Sequence, residues 1–413
     1  MQELQQIEQH VYHRDIKKAD ILIARLFKSQ LSAEDLSKLY LFRARTRLLS
    51  GRPEDAIDDV SAAEKTIPLD QTTQPTSLEI QGDAYFARFE LASVGFVDRI
   101  DTVRAESTYE KLLNQFPNYK NIGWIYFQKG RIKLTEMKID EAEELFERAL
   151  VSPSYLRYLP AYCYERLGFI AYYERRDWSR SLDFLDRALN TYPHDEDNHW
   201  LVQVQILRSR VYKMLGKPDL AIKASEAALK IASGPQLEKR SLSEAILNII
   251  ELLSDLNGHE REILNYLDQF TQHTKKPLGV DVTWSRLYEI RGNTHLAIGK
   301  YDEAIADYKN ALQFNPDHPW ELFIYQQIAR CYYQNREYTE TINVINRLLQ
   351  NSAQEKQTIK DFRVFDMLGS ALFALKRYQE AVIAYQSALS IVPPNTDLSH
   401  KIQSYYDLAR ELI

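Results

Sequence analysis

The phrase GKYDEAIADYKNALQFNP at 299–316 returns as KRYQEAVIAYQSALSIVP at 376–393. A chain that repeats a turn followed by an amphipathic run is committed to stacking like units on one another. Four more copies follow once the spacing is known: GRPEDAIDDVSAAEKTIP at 51–68, MKIDEAEELFERALVSP at 137–153, RDWSRSLDFLDRALNTYP at 176–193 and GKPDLAIKASEAALKIA at 216–232. The small residue after each turn marks the unit, at Ala56, Ala105, Ala142, Ser181, Ala221, Ala304, Thr341 and Ala381, with weaker matches at Ala19 and Ile263. Ten markers predict ten helical hairpins.

A second small residue lies about twelve positions upstream of most markers, at Ala44, Gly130, Gly168, Ser209, Gly292, Ala329 and Gly369. Small residues facing each other let two antiparallel helices approach to about 8–10 Å, which bulky side chains prevent. Ala63, Ala149, Ala188, Ala228, Ala311 and Ala388 repeat the logic against the next hairpin, with Phe146, Tyr308 and Tyr385 filling the space between. Pro68, Pro117, Pro193, Pro316 and Pro393 are placed to stop the second helices, since proline has no N–H to donate. Glycine and proline together make 27 of 413 residues, about half the roughly 12% of an average chain, so an all-α chain with short turns is expected.

This arrangement resembles the tetratricopeptide repeat, most cleanly over 287–316 and 364–393. It departs in spacing: the nine intervals from Ala19 to Ala381 average about 40 residues against the usual 34. The excess is assigned to LDQTTQPT at 69–76, ASVGFVDRID at 92–101, a long helix over 236–256 and NSAQEKQTIK at 351–360. Residues 1–395 are therefore read as one array, and 396–413 as a capping helix with Leu398, Ile402, Tyr405, Leu408 and Ile413 along one face. The resemblance implies a right-handed α-solenoid whose concave wall is lined by the first helix of each hairpin.

On that wall the position after the small contact residue carries Arg45, Arg131, Arg210 and Arg330, with Asn293 and Ser370 elsewhere. Three residues further along come Tyr333 and Phe373, with Tyr172 at the matching place. Guanidinium groups interleaved with aromatic rings suit carboxylates, phosphates or aromatic side chains. The alternative is that these arginines pair with acidic neighbours and cover apolar surface with their stems. The carboxylate clamp of the tail-binding members is not reproduced: Asn293 matches its asparagine, but Glu289 stands where lysine is expected.

Fragments that imitate catalytic motifs lack the residues their mechanisms need. His13-Arg14-Asp15-Ile16 looks like a kinase catalytic loop, yet Asp20 occupies the place of the metal-binding asparagine. In His259-Glu260-Arg261-Glu262, Ile263 replaces the second histidine of a zinc-protease helix. His194-Asp195-Glu196-Asp197-Asn198-His199 crowds metal donors together, but acidic residues after Pro193 also suit a helix start. GxxxxGK[ST], GxGxxG and GxSxG do not occur, and Cys163 and Cys331 fit no redox or zinc spacing.

With 52 basic against 58 acidic residues, nucleic acid is a disfavoured partner. The polar N-terminal segment and the lack of an apolar run of ~18 residues point to a cytoplasmic protein without membrane insertion. The expected function is a non-catalytic scaffold with no cofactor, binding a protein or peptide partner in its groove. The alternatives are a sensor for a small peptide or metabolite, or one module of a larger regulatory complex.

Overall fold

The computed structural model describes residues 2–12, 15–92, 99–193, 198–234, 239–354 and 359–413. Among them are 21 helices and no strand, divided between two compact units, Met1–Lys217 and Pro218–Ile413. The first unit pairs α1 (Gln2–Tyr12) with α2 (Ile16–Leu26), α3 (Ala33–Leu49) with α4 (Pro53–Thr66), and α5 (Gln74–Leu91) with α6 (Ile100–Gln115). It continues with α7 (Ile122–Thr135) on α8 (Ile139–Val151), α9 (Leu159–Tyr173) on α10 (Trp178–Thr191), and α11 (Asn198–Met214). The second unit begins with α12 (Pro218–Ala232), then pairs α13 (Lys239–Ser254) with α14 (Glu260–His273) and α15 (Val282–Ala297) with α16 (Tyr301–Phe314). It ends with α17 (Glu321–Gln334) on α18 (Tyr338–Gln354), α19 (Phe362–Ala374) on α20 (Tyr378–Leu389), and α21 (Asp397–Glu411).

The marker positions lie at the closest crossings. All ten, from Ala19 to Ala381, are buried, as are Ala44, Ser209 and Ala329 upstream. A methyl group added at Gly130, Gly292 or Gly369 would stand 2.7–2.9 Å from the ring of Phe146, Tyr308 or Tyr385 on the second helix. Glycine is required there because ordinary carbon contacts are about 3.5–4.0 Å. Helices α4, α6, α10 and α16 end two residues before Pro68, Pro117, Pro193 and Pro316.

One turn recurs between the helices of a hairpin. The backbone N–H of Gly299 bonds to Leu296 O and that of Lys300 to His295 O, and Lys376 and Arg377 repeat this on Phe373 and Leu372. This double closure needs a left-handed residue after the first helix. Gly51 and Gly299 supply it at φ 70° and 77°; Met137, Arg336 and Lys376 supply it at 59°, 62° and 61°. Non-glycine residues in this role explain part of the low glycine content.

A buried ion pair locks two of the hairpins in the same register. Arg43 makes a bidentate pair with Asp59 at 2.6 and 2.9 Å, and Arg291 grips Asp307 at 2.5 and 3.0 Å, each spanning 16 residues. Arg47 adds a contact to Asp59 at 2.7 Å and His295 one to Asp307 at 2.8 Å. These arginines precede the small contact residue, so they point across their own hairpin.

Helix α21 packs on α20 through a stripe that shares Ile402 with the one the sequence suggests but otherwise differs from it. Ser399, Ile402 and Ala409 are buried, whereas Leu398, Tyr405, Leu408 and Ile413 are exposed. The small Ser399 and Ala409 permit the closer approach. Tyr405 still contributes by stacking on Tyr385 at 6.1 Å. The helix over 239–254 accounts for most of the long run read at 236–256, whose residues 236–238 lie outside the described residues, as do 93–98 and 355–358 of the other two insertions. The polar connector at 69–76 is held by Asp70, which accepts the backbone N–H and hydroxyl of both Thr72 and Thr73 at 2.7–3.0 Å, and this holds its carboxyl well below the usual range.

Candidate binding groove

Helix α17 buries Ile324, Ile328, Ala329 and Cys331 against its unit, which turns a second face outward. Trp320, which caps the helix, is 64% exposed and Phe323 is 42% exposed. Gln327, Arg330 and Gln334 continue the stripe at helical spacing, with Tyr333 beside them. Together with α19 this face lines a groove of about 610 Å³, and a neighbouring depression of about 360 Å³ at Trp320 shares Phe323, Gln326 and Asp361 with it.

The charges in this groove are divided between satisfied and unsatisfied groups. Asp361 caps α19, accepts Gln326 Nε2 at 2.6 Å and pairs with Arg363 at 2.8 Å, which together hold its carboxyl below the usual range despite burial. By contrast Arg330, Gln327, Gln334 and Asp366 have no side-chain hydrogen bond or ion pair among the described residues. Asp366 is half-buried, and desolvation pushes its carboxyl up, opposed only by the charge of Lys401 on α21. Arg330 and Gln334 are exposed and solvated, so the cost of lacking a partner falls on the half-buried Gln327 and, above all, on the desolvated Asp366 carboxylate.

The arginines of the first unit are placed differently. Arg45 donates to Glu79 at 2.8 Å and to Tyr155 at 3.1 Å. Glu79 is fully buried on α5 and also accepts Tyr119 at 2.7 Å, Asn121 at 3.0 Å and Tyr155 at 3.3 Å. One turn on, Asp83 accepts Tyr109, Trp124 and Gln128 at 2.6–3.0 Å, and burial, reinforced by the charge of Glu79, pushes its carboxyl up to about 6. Arg131 ion-pairs with Glu90, receives support from Gln128 at 2.9 Å and lies over the Phe86 ring. Arg45 lines two adjoining cavities of about 320 and 190 Å³, the second of which Arg131 also lines. Both side chains thus join α5 to its neighbours while facing open space.

Of the remaining expected residues, Arg210 donates to Tyr173 at 2.8 Å, and Tyr172 meets Tyr173 edge to face at 4.6 Å. Asn293 accepts the Tyr308 hydroxyl at 2.7 Å, and Phe373 packs edgewise on Tyr378 at 5.4 Å. Arg330, Tyr333 and Ser370 stand together in the polar groove. Glu289 is buried against Arg286 at 2.8 Å, with His318 Nε2 at 3.7 Å. Sequence reasoning missed Trp320, Phe323 and Asp366. The first two had a signal, since both fall off the face defined by Ile324 and Ile328.

The catalytic imitations resolve into local structure where they are described. Asp15 caps α2 through Lys18 N, and His259 Nδ1 lies 3.2 Å from Glu262. His13, Arg14 and 194–197 lie outside the described residues. No three metal-donor side chains come together among the described residues, and no described helix is long and apolar enough to cross a membrane. Cys163 and Cys331 are free and buried, and burial pushes both thiols up, Cys331 to about 12.

Stacked antiparallel hairpins with small-residue crossings and no described strand define an all-α helical-repeat protein. Family models for the tetratricopeptide repeat match residues 285–318 and 362–395, and a model described as Iml2/Tetratricopeptide repeat protein 39 matches 84–192. The chain thus carries tetratricopeptide repeats over these segments. It is 24% identical over 301 residues to DnaJ homolog subfamily C member 3 of Gallus gallus, covering 69% of this chain and 55% of the relative. Against the Hsp70-Hsp90 organizing protein of Triticum aestivum it is 23% identical over 250 residues, covering 55% and 40%. The chain therefore spans about half the length of the curated relatives it matches. Among solved structures, the apo form of RapI aligns over 91% of this chain and 98% of its own, with a TM-score of 0.57 at 13% identity, a likeness of fold.

Proposed function

We propose that the protein is a non-catalytic cytoplasmic scaffold that holds a segment of a protein partner along the exposed face of α17. One observation carries this reading: Arg330, Gln327, Gln334 and Asp366 line one groove and have no partner within the described chain. Of these, the half-buried Asp366 carboxylate is the one a ligand would relieve, while the exposed Arg330 and Gln334 are open for contact. The exposed Phe323 in this groove and Trp320 in the adjoining depression supply the aromatic anchors common at protein interfaces. The name of the wheat relative, an organizing protein for Hsp70 and Hsp90, supports a role in holding proteins. Capture from the native source with wild type and an Arg330→Glu, Trp320→Ala variant tests it. Loss of the captured partner is expected; an unchanged set from a folded variant refutes it.

A second reading, a receptor for a small ligand, is favoured by the cavity of about 320 Å³ beside Arg45 and Tyr12, a size suited to small molecules. Selective binding there would raise the melting temperature, and Tyr12→Ala would abolish the rise.

A further inference from the structure

We infer that the α17/α19 groove takes an extended peptide segment by ion-pairing one of its cationic side chains with the Asp366 carboxylate, while an apolar side chain of the same segment lies on Trp320 and Phe323. The inference rests on the reading of this groove as the partner site and states what the partner must carry.

The charge requirement comes from Asp366. Its carboxylate is half-buried in the groove wall and receives no hydrogen bond, whereas Asp361, in the same groove, is fully engaged by Gln326 and Arg363. A desolvated carboxylate without donors is relieved by an opposite charge and made worse by a second anion. Burial already holds this carboxyl above the usual range, consistent with an unmet need for positive charge. Lys401, the one cation acting on it, does so from α21 without forming an ion pair. An acidic tail laid across this position would face repulsion; a lysine or arginine side chain completes it.

The extended form comes from the free amides. Gln327 and Gln334 lie on one face of α17, two turns apart, and each offers both a donor and an acceptor. Main-chain N–H and C=O groups of an extended strand need such pairs once covered. Arg330 stands between them, with donors for backbone carbonyls. From Trp320 to Gln334 the helix rises about 21 Å at 1.5 Å per residue. An extended chain covers that in about six or seven residues. The segment is therefore short, with its apolar residue near one end and its cation toward the other.

Fluorescence anisotropy with the full chain tests this using three pools of capped, amidated octapeptides bearing a neutral dye. The pools are degenerate except for one position fixed as lysine, norleucine or glutamate. The lysine pool is expected to bind at least ten-fold more tightly than the norleucine pool, and the glutamate pool more weakly still. Asp366→Asn should bring lysine and norleucine within two-fold, and Asp366→Lys should transfer the preference to glutamate. Equal binding of all three pools, or a lysine preference that survives Asp366→Asn, overturns the cation assignment. If such binding is still weakened by Trp320→Ala and Gln327→Ala, the groove reading stands alone. No binding, or binding insensitive to those two substitutions, overturns both.

Discussion

Replacing Gly82 with alanine isolates the close approach on which each hairpin depends. In an exposed helix the change stabilises by about 1 kcal/mol, because alanine has the higher helix propensity. In α5 the added methyl would stand 2.5 Å from Cε1 and 2.9 Å from Cδ1 of Tyr109, whose ring is fully buried. An ordinary contact needs a recoil of about 1 Å. The ring is not free to move, since its hydroxyl is held by Asp83 at 2.6 Å. Overpacking costs about 1–3 kcal/mol and a weakened hydrogen bond to a buried carboxylate adds about 1.5–3 kcal/mol if lost. Net destabilisation of about 1–4 kcal/mol is expected after the propensity gain. Gly168→Ala is the control: its methyl meets Cδ2 and Cγ of Leu185 at 3.1 Å and the Ser181 carbonyl oxygen at 3.4 Å, so a shift of a few tenths of an ångström suffices and the net effect should lie within about 1 kcal/mol of zero. Urea unfolding followed by far-ultraviolet circular dichroism measures both, and the fluorescence of Trp124, which donates to Asp83 at 2.9 Å, reports the local change. A Gly82→Ala variant as stable as wild type refutes the close-approach argument.

Other expectations follow from the same geometry. Lys376→Gly, at φ 61°, should raise the melting temperature by relieving about 1 kcal/mol of left-handed strain, and Gly299→Ala, at φ 77°, should lower it. Because Asp83 is raised to about 6, the native state holds a proton that the unfolded chain releases near 3.8. Its contribution to stability is thus complete below about 3.8 and is lost as pH rises through about 6, at most about 3 kcal/mol. Asp83→Asn should remove that slope from the pH profile of unfolding. Glu79→Ala strands a buried guanidinium and should cost about 3–5 kcal/mol in chemical denaturation, whereas Arg330→Ala, which has no partner to lose, should cost less than about 0.5 kcal/mol.

The hairpins were legible because their signals are local. Ala304 and Gly292 are twelve residues apart, and the turn that joins their helices lies between them. The roles of the arginines were not, because they depend on partners in other hairpins. Arg45 finds Glu79 34 residues on, and Arg131 finds Glu90 41 residues back, so the same residue type at the same register is tied down in one unit and free at Arg330 in the other. Asp366 carried no sequence signal, since its lack of a partner is a property of packing. On α21 the hydrophobic pattern favoured Leu398 and Leu408, but the small Ser399 and Ala409 decided which face could approach α20.

Site-specific photo-crosslinking tests the partner groove most directly. A benzoylphenylalanine at Gln327, within the groove, and another at Val151, an 85% exposed position of α8, are compared in extracts of the native source. Binding along α17 is expected to give a discrete higher-mass adduct at position 327, abolished by Trp320→Ala, and none at 151. An adduct at 151 with none at 327, or one at 327 that ignores Trp320→Ala, contradicts it.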